Sequence, residues 1–296
     1  MTTDLKNRAR GVLLGLACGD ALGAQVEFKA RGTFPHQCDM TGKGPHKLKP
    51  GQWTDDTAMA LLLAEHLCSG DADVRRPALL ANRWVAWYRR GVGSCTGHCF
   101  DIGTQTRNAL AHWEDKGVAP PQTSYGRRIA PRGNGALMRV APVALAHATL
   151  SPVQGAAYRQ ALVTHNQDSA ELCSTFAGLV WRAMRSSPNE FRTKLADANP
   201  AILRRTEDEV RSTGYDVDTY EAALWCVMHG SSAEDAIVKA ANLGDDADTV
   251  AAVTGALAGA VWGDALPKRW LDKLAWRGQI VQQAEELCDL GAARAA

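Results

Sequence analysis

Glycine recurs at every fourth position through the stretch Leu5 to Leu22, at Gly11, Gly15 and Gly19, and the same device returns from Thr249 to Trp262 with Gly255 and Gly259. Helical residues four apart share a face, so each run carries a smooth strip on which another backbone can approach closely. A glycine inside a helix costs about 1 kcal/mol relative to alanine, so its repetition points to packing rather than accident. The second run adds an apolar stripe of Val250, Val253, Leu257 and Val261. These two helices are expected to be central and to touch.

Helical periodicity continues along most of the chain, with almost no alternation of the kind that marks half-buried strands. It predicts helices over Thr57 to Cys68, Arg76 to Arg89, Thr104 to Trp113, Leu137 to Ala148, Pro152 to Thr164, Ser169 to Arg185, Asp218 to Met228, Ala233 to Ala241 and Lys268 to Asp289. The expected fold class is all-α. Two connections, Lys29 to Trp53 and Gly117 to Gly135, are irregular and rich in Gly and Pro. Loops of that length inside a compact domain are more often functional than idle. Apolar helices flank both without a shift in composition, so residues 1–296 read as a single domain with a sizeable core.

The balance of 33 Lys plus Arg against 32 Asp plus Glu leaves a charge of +1, without the basic excess of a nucleic-acid binder. Any anionic ligand must be held locally. The N-terminus imitates a secretory signal, but its apolar run from Val12 to Cys18 is interrupted by Gly15 and stops at Asp20. No other uncharged run approaches the roughly 20 apolar residues of a spanning helix. A cytoplasmic protein with no membrane insertion is expected, its eight cysteines scattered and reduced. Cys95, His98 and Cys99 have the spacing of half a zinc site, yet no second ligand pair follows, so zinc is not expected.

Acidic residues crowd the start of two apolar helices. "NLGDDADTV" places Asp245, Asp246 and Asp248 before an uncharged run, and "GQWTDDTAM" places Thr54, Asp55 and Asp56 before a helix whose Met59, Leu62, Leu63 and Leu67 face a core. One N-cap and a favourable helix dipole account for one such residue per helix. Crowded carboxylates repel one another unless a cation compensates. Thr54, Asp55 and Asp56 at one site, with Asp246, Asp248 and Thr249 at the other, are hard oxygen ligands suited to magnesium, manganese or calcium. Glu27 supplies a fifth acid, and five negative charges nearly balance the four positive charges of two divalent cations. Two such ions typically serve hydrolysis. The spelling excludes two familiar classes, because Met59 replaces the third acid of a DDxxD site and no His-Asp dipeptide occurs.

"GLACGDALGAQVEF", "GQWTDDTAM", "RGNGALMRVAP" at 132–142, "THN" at 164–166 and "GDDADTVAAVTGALAGAVWG" together resemble the ADP-ribosylglycohydrolase family, in the family's order, from about residue 9 to residue 275. The resemblance implies an all-α fold holding two magnesium or manganese ions and cleaving the bond between the anomeric ribose carbon of ADP-ribose and its acceptor. It assigns Thr54, Asp55, Asp56, Asp246, Asp248 and Thr249 as metal ligands, and sets Glu27 beside the metals as ligand or acid/base. Catalysis would thus rest on Glu27, Asp55, Asp56 and Asp246. Gly133, Asn134 and Gly135 resemble a pyrophosphate-binding loop, whose glycines let backbone N–H groups converge on an anion. His165 would lie near the diphosphate or the distal ribose.

Two departures stand out. Asp245 occupies the second glycine of the common "GGDADT" and is expected to be solvated or to sit behind the ligands. Thr104 stands where the family's dinitrogenase reductase branch has an aspartate, which argues against identity with that enzyme and leaves Asp101 as a candidate substrate contact in its stead. The expected partner is an ADP-ribosylated protein, with arginine as first acceptor, or a small molecule containing ADP-ribose. The alternatives are hydrolysis of another nucleotide-derived molecule, and a non-catalytic role like that of the related jellyfish crystallins, which the intact ligand set disfavours. Acceptor selectivity is expected from Lys29 to Trp53 and Cys95 to Gln105.

Overall fold

A Cβ atom added to Gly15 would overlap the backbone oxygen of Gly255, and one added to Gly259 would overlap that of Gly11. Only hydrogen fits between these two helices. The computed structural model describes residues 3–120 and 132–294. Its helices run in chain order as α1 (Thr3–Gly23), α2 (Asp55–Cys68), α3 (Pro77–Arg90), α4 (Thr104–Lys116), α5 (Leu150–Leu162), α6 (Gln167–Ala183) and α7 (Pro188–Ala198), then α8 (Pro200–Leu203), α9 (Asp216–His229), α10 (Ala233–Asn242), α11 (Ala247–Trp262), α12 (Lys268–Leu271) and α13 (Arg277–Ala293). Among the described residues only isolated bridges, Lys43 with Leu48 and Gly133 with Tyr215, depart from an all-α architecture.

Gly11, Gly15, Gly19 and Gly23 of α1 face Gly263, Gly255, Ala251 and Ala247 in turn, so α1 and α11 run antiparallel with their backbones in contact. α11 is buried from Ala247 to Val261. Its C-terminal carbonyls are satisfied by a buried side chain from α1, since Arg8 Nη1 donates to the oxygens of Ala260 (2.9 Å) and Val261 (2.6 Å). The close approach fixes the end of α1 against the start of α11, and the start of α2 joins them there.

The expected set of elements needs three corrections. Leu137 to Ala148 is not an α-helix; it holds a short 3-10 turn over Ala141–Ala144. Pro142 has no N–H to give to a continuing helix. Lys268 to Asp289 is two helices, because Trp276 takes a left-handed φ of 59° and the Ala275 amide donates across to Gly51 O (2.9 Å). The third is an omission, as α7 and α8 fill Pro188–Leu203 where no helix was expected. The long connection 29–53 is irregular as expected and is tied down at several points. Arg31 donates to the carbonyls of Val210 (2.6 Å) and Leu243 (3.1 Å), and the Gln37 amide donates to Asn242 Oδ1 (2.8 Å). Of the other expected loop, Gly117 to Gly135, residues 121–131 lie outside the described residues. No helix among the described residues is long and apolar enough to cross a membrane.

Candidate metal centre and substrate cleft

Thr54 and Asp246 occupy the N-cap positions of α2 and α11, yet neither side chain caps its helix. Thr54 turns instead toward α1 and α11, and Asp246 toward Asn134. Thr54 Oγ1 lies 3.0 Å from Asp20 Oδ1, 3.1 Å from Asp56 Oδ2 and 3.4 Å from Asp248 Oδ2, and Thr249 Oγ1 lies 3.5 Å from Asp56 Oδ2. Two groups of acids present oxygens within 4.8 Å of one another: Asp20, Asp56 and Asp248, and Glu27, Asp246 and Asp248. Asp248 is common to both. Asp55 falls outside these groups and lines the adjoining cleft.

Burial pushes the carboxyls of Asp55, Asp56 and Asp248 well above the ordinary range, and the like charges of neighbouring acids push them further. Asp246 is also raised by burial, with a hydrogen bond from Asn134 Nδ2 (2.6 Å) working against it. Asp56 Oδ1 is buried with no hydrogen-bond partner in the protein. A buried acceptor left unpaired is costly, and so is a cluster of unneutralised acids. A hard divalent cation relieves both at once, so the donor set fits a metal ion.

With His46, Asp20 is one of two residues that sequence reasoning missed. It accepts hydrogen bonds from the backbone amides of Thr54 (2.9 Å) and Thr57 (3.0 Å) and from the Thr57 hydroxyl (2.6 Å). With both oxygens engaged, it holds the first turn of α2 in place, and burial raises its carboxyl to about 6. The signal available was an aspartate between Gly19 and Gly23 on the face that α1 buries.

Above the acids opens a cleft of about 920 Å³, walled by Glu27, Asp55, Asp101, the Gly133–Gly135 segment and His165. Glu27 is buried, which raises its carboxyl to about 7, and its Oε2 contacts His46 Nε2 at 2.7 Å. The same nitrogen lies 3.4 Å from Asp101, and its two acidic partners hold His46 protonated, at about 10. His46 comes from the irregular 29–53 connection, where no periodicity marks it out. Asp245 is exposed at the cleft rim with a left-handed φ of 54°, its amide donating to Lys29 O (2.8 Å) and its carbonyl accepting from Phe28 N (2.7 Å). That backbone region favours glycine and tolerates aspartate. Thr104, also exposed on the cleft wall, begins α4.

The Gly133–Gly135 segment departs from expectation in one respect. The Gly133 amide donates to Gln105 Oε1 (3.0 Å) and the Asn134 amide to Gly214 O (3.1 Å), so two N–H groups expected to face an anion have protein acceptors. The cause is the bridge between Gly133 and Tyr215, which turns this backbone toward its neighbour. Gly135 needs its missing side chain, because a Cβ there would stand 2.9 Å from Thr106 Oγ1. The thiols of "CTGHC" are separately engaged, Cys95 with Trp53 O (3.3 Å) and Cys99 with Asp101 O (3.6 Å), and burial pushes both up to about 12.

The sequence profile of the ADP-ribosylglycohydrolases matches residues 1–296. The chain is 43% identical to ADP-ribosylarginine hydrolase Tri1 of Pseudomonas putida, over 96% of this chain and 78% of that protein. It is 38% identical to the protein of the same name from Serratia proteamaculans, over 95% of this chain and 79% of that protein. It is 34% identical to the ADP-ribosyl-[dinitrogen reductase] glycohydrolase of Rhodospirillum rubrum, over 90% of each. A solved structure described as an ADP-ribosylglycohydrolase-related protein complex superposes with a TM-score of 0.80 at 37% identity, covering 98% of this chain and 100% of that one.

Proposed function

The chain belongs to the ADP-ribosylglycohydrolase family, and from that premise we propose that it is a metal-dependent hydrolase releasing ADP-ribose from ADP-ribosylated arginine side chains of proteins. The observation that carries this reading is the set of buried acids from α1, α2 and α11 at the floor of the cleft, with Asp56 Oδ1 unpaired. Arginine as acceptor is supported by the two hydrolases so named, at 43% and 38% identity. Thr104 sets the cleft wall apart from the dinitrogenase reductase branch. A cytoplasmic setting belongs to the same reading, since the described cysteines form no disulfide among themselves.

In this reading Thr54, Asp55, Asp56, Asp246, Asp248 and Thr249 hold two divalent cations, magnesium or manganese. Such ions supply Lewis acidity to the ribose hydroxyls and to an attacking water. The remaining work belongs to the chain itself. The carboxylates place negative charge beside the anomeric carbon, where the positive charge of an oxocarbenium-like transition state develops. Glu27, bonded to His46 Nε2 at 2.7 Å on the cleft wall, can give a proton to the departing guanidino nitrogen and take one from the attacking water. His46 and Asp101 flank it, the same His46 nitrogen lying 3.4 Å from Asp101 Oδ2. Gly133, Asn134, Gly135 and His165 seat the diphosphate, and a cleft of about 920 Å³ suits a nucleotide-sized ligand.

The test is release of ADP-ribose from ADP-ribosyl-arginine, ADP-ribosyl-serine and O-acetyl-ADP-ribose, each with magnesium, manganese or a chelator. The arginine conjugate is expected to turn over fastest, the chelator to stop it, and Asp246→Asn to lower turnover by at least about a hundredfold. Turnover untouched by both chelator and substitution overturns the reading.

A further inference from the structure

Arg139 is fully buried, and among the described residues no carboxylate is one of its hydrogen-bond partners. Its guanidinium lies 3.9 Å over the Trp84 ring, Nε donates to Gln160 Oε1 (3.1 Å), and Nη2 donates to Thr164 Oγ1 (2.7 Å). Burial lowers its pKa to about 9, which leaves it charged at neutral pH. Burying a cation with no carboxylate bonded to it carries a large desolvation cost, which the charge of Asp55 offsets only in part. Packing alone would be served better by an apolar side chain.

The direction of the bond to Thr164 has a chemical consequence. A guanidinium can only donate, so Thr164 Oγ1 accepts from it and keeps one proton for its other partner. That partner is Nδ1 of His165, at 2.7 Å. Among the described residues these are the two hydrogen bonds of the hydroxyl. With Nδ1 accepting, the hydroxyl proton is used, whereas with Nδ1 donating that proton would lack a partner among the described residues, so the bonding favours the ring proton on Nε2. Nε2 is the nitrogen turned toward the Gly133–Gly135 segment, 3.5 Å from where a Cβ of Gly135 would stand and 3.8 Å from that of Gly133. Burial and the charge of Arg139 hold His165 well below the ordinary histidine range, so the ring is neutral.

We propose that Arg139 acts through Thr164 as a positioning residue for His165, locking the proton on Nε2 so that the ring presents a fixed N–H donor to a diphosphate oxygen seated against Gly133–Gly135. The proposal rests on the reading of that segment as the diphosphate seat. Because the Gly133 and Asn134 amides already have acceptors, a donor supplied by His165 carries more of the recognition.

The relay is tested on the full chain labelled with 15N-histidine, by two-bond 1H–15N correlation without ligand, His165 being assigned by its absence from His165→Gln. The expected spectrum shows one neutral tautomer protonated on Nε2. Thr164→Val removes the hydroxyl while keeping a branched side chain. It should yield a tautomer mixture and weaken ADP-ribose binding in the presence of magnesium by about tenfold, and Thr164→Ser should restore both. Arg139→Met should likewise mix the tautomers; Thr164→Val keeps the test standing if that variant does not fold. Protonation on Nδ1 in the unaltered chain, or a Thr164→Val variant with unchanged tautomer and affinity, overturns the proposal. The expected tautomer in a protein that binds no ADP-ribose overturns the diphosphate reading and leaves the relay from Arg139 to His165 standing.

Discussion

Asp20 separates holding an ion from holding the ligands. Its two oxygens already accept from the amides of Thr54 and Thr57 and from the Thr57 hydroxyl, while Asp56 Oδ1 beside it has no partner. The side chain that lacks partners is the better ligand, and the one that is saturated fixes its neighbour's position. Asp20→Asn should therefore weaken divalent-cation affinity by about 10- to 100-fold without abolishing binding. Isothermal titration with manganese would read this, and a complete loss of binding would place Asp20 among the ligands instead. Part of the candidate site was legible at this scale, since repulsion among clustered acids pointed to Asp55, Asp56, Asp246 and Asp248 with Glu27 as a fifth acid, and the fold brings Glu27, Asp56, Asp246 and Asp248 together while Asp55 lines the cleft. Asp20 and His46 were not, for a physical reason. Each stands alone in its local sequence, one closing an apolar helical run and the other inside an irregular connection, and only tertiary packing gives them acidic or hydroxyl neighbours.

At the scale of elements, the acids are useful because two helices hold them rigidly. Along α1 and α11 the opposing atoms are backbone, which cannot rotate aside as a side chain would. Gly15→Ala improves helix propensity by about 1 kcal/mol, but the overpacking should outweigh this and leave a net loss of about 2 kcal/mol. Gly155→Ala in α5 meets only the flexible end of Arg159, so it should be neutral or slightly stabilising. Urea denaturation of the two variants measures the contrast, and equal stability would mean that the stripe is not a true backbone contact. The glycine period was readable because the spacing states the geometry directly. The break at Trp276 was not, because it depends on Gly51, more than two hundred positions away, accepting the Ala275 amide. Pro142 was visible in the sequence and should have stopped the expected helix there.

For the molecule as a whole, the acidic centre makes metal and proton rivals. Asp20 and Glu27 have folded pKa values raised to about 6 and about 7, so in the metal-free protein the folded state binds more protons than the unfolded one through that range. The stability this confers is complete below ordinary carboxylate values and is lost as pH rises through about 6 and about 7. A divalent cation needs the neighbouring carboxyls of Asp56, Asp246 and Asp248 deprotonated, and burial raises these as well, so its stabilising effect must grow as pH rises. At a concentration a hundredfold above its dissociation constant the ion contributes about 2.7 kcal/mol, a Tm increase on the order of 5 °C for a chain of this size. The buried histidines His66, His147 and His165 act with the opposite sign, since their lowered pKa values cost stability as pH falls through the ordinary histidine value of 6.5. Their contribution is common to the metal-free and metal-loaded protein, so it cancels when one Tm is subtracted from the other. The expected result is a magnesium- or manganese-induced Tm increment that is large at pH 8, small at pH 5.5 and removed by chelator. An increment of equal size at both pH values would mean that the ion binds away from these acids.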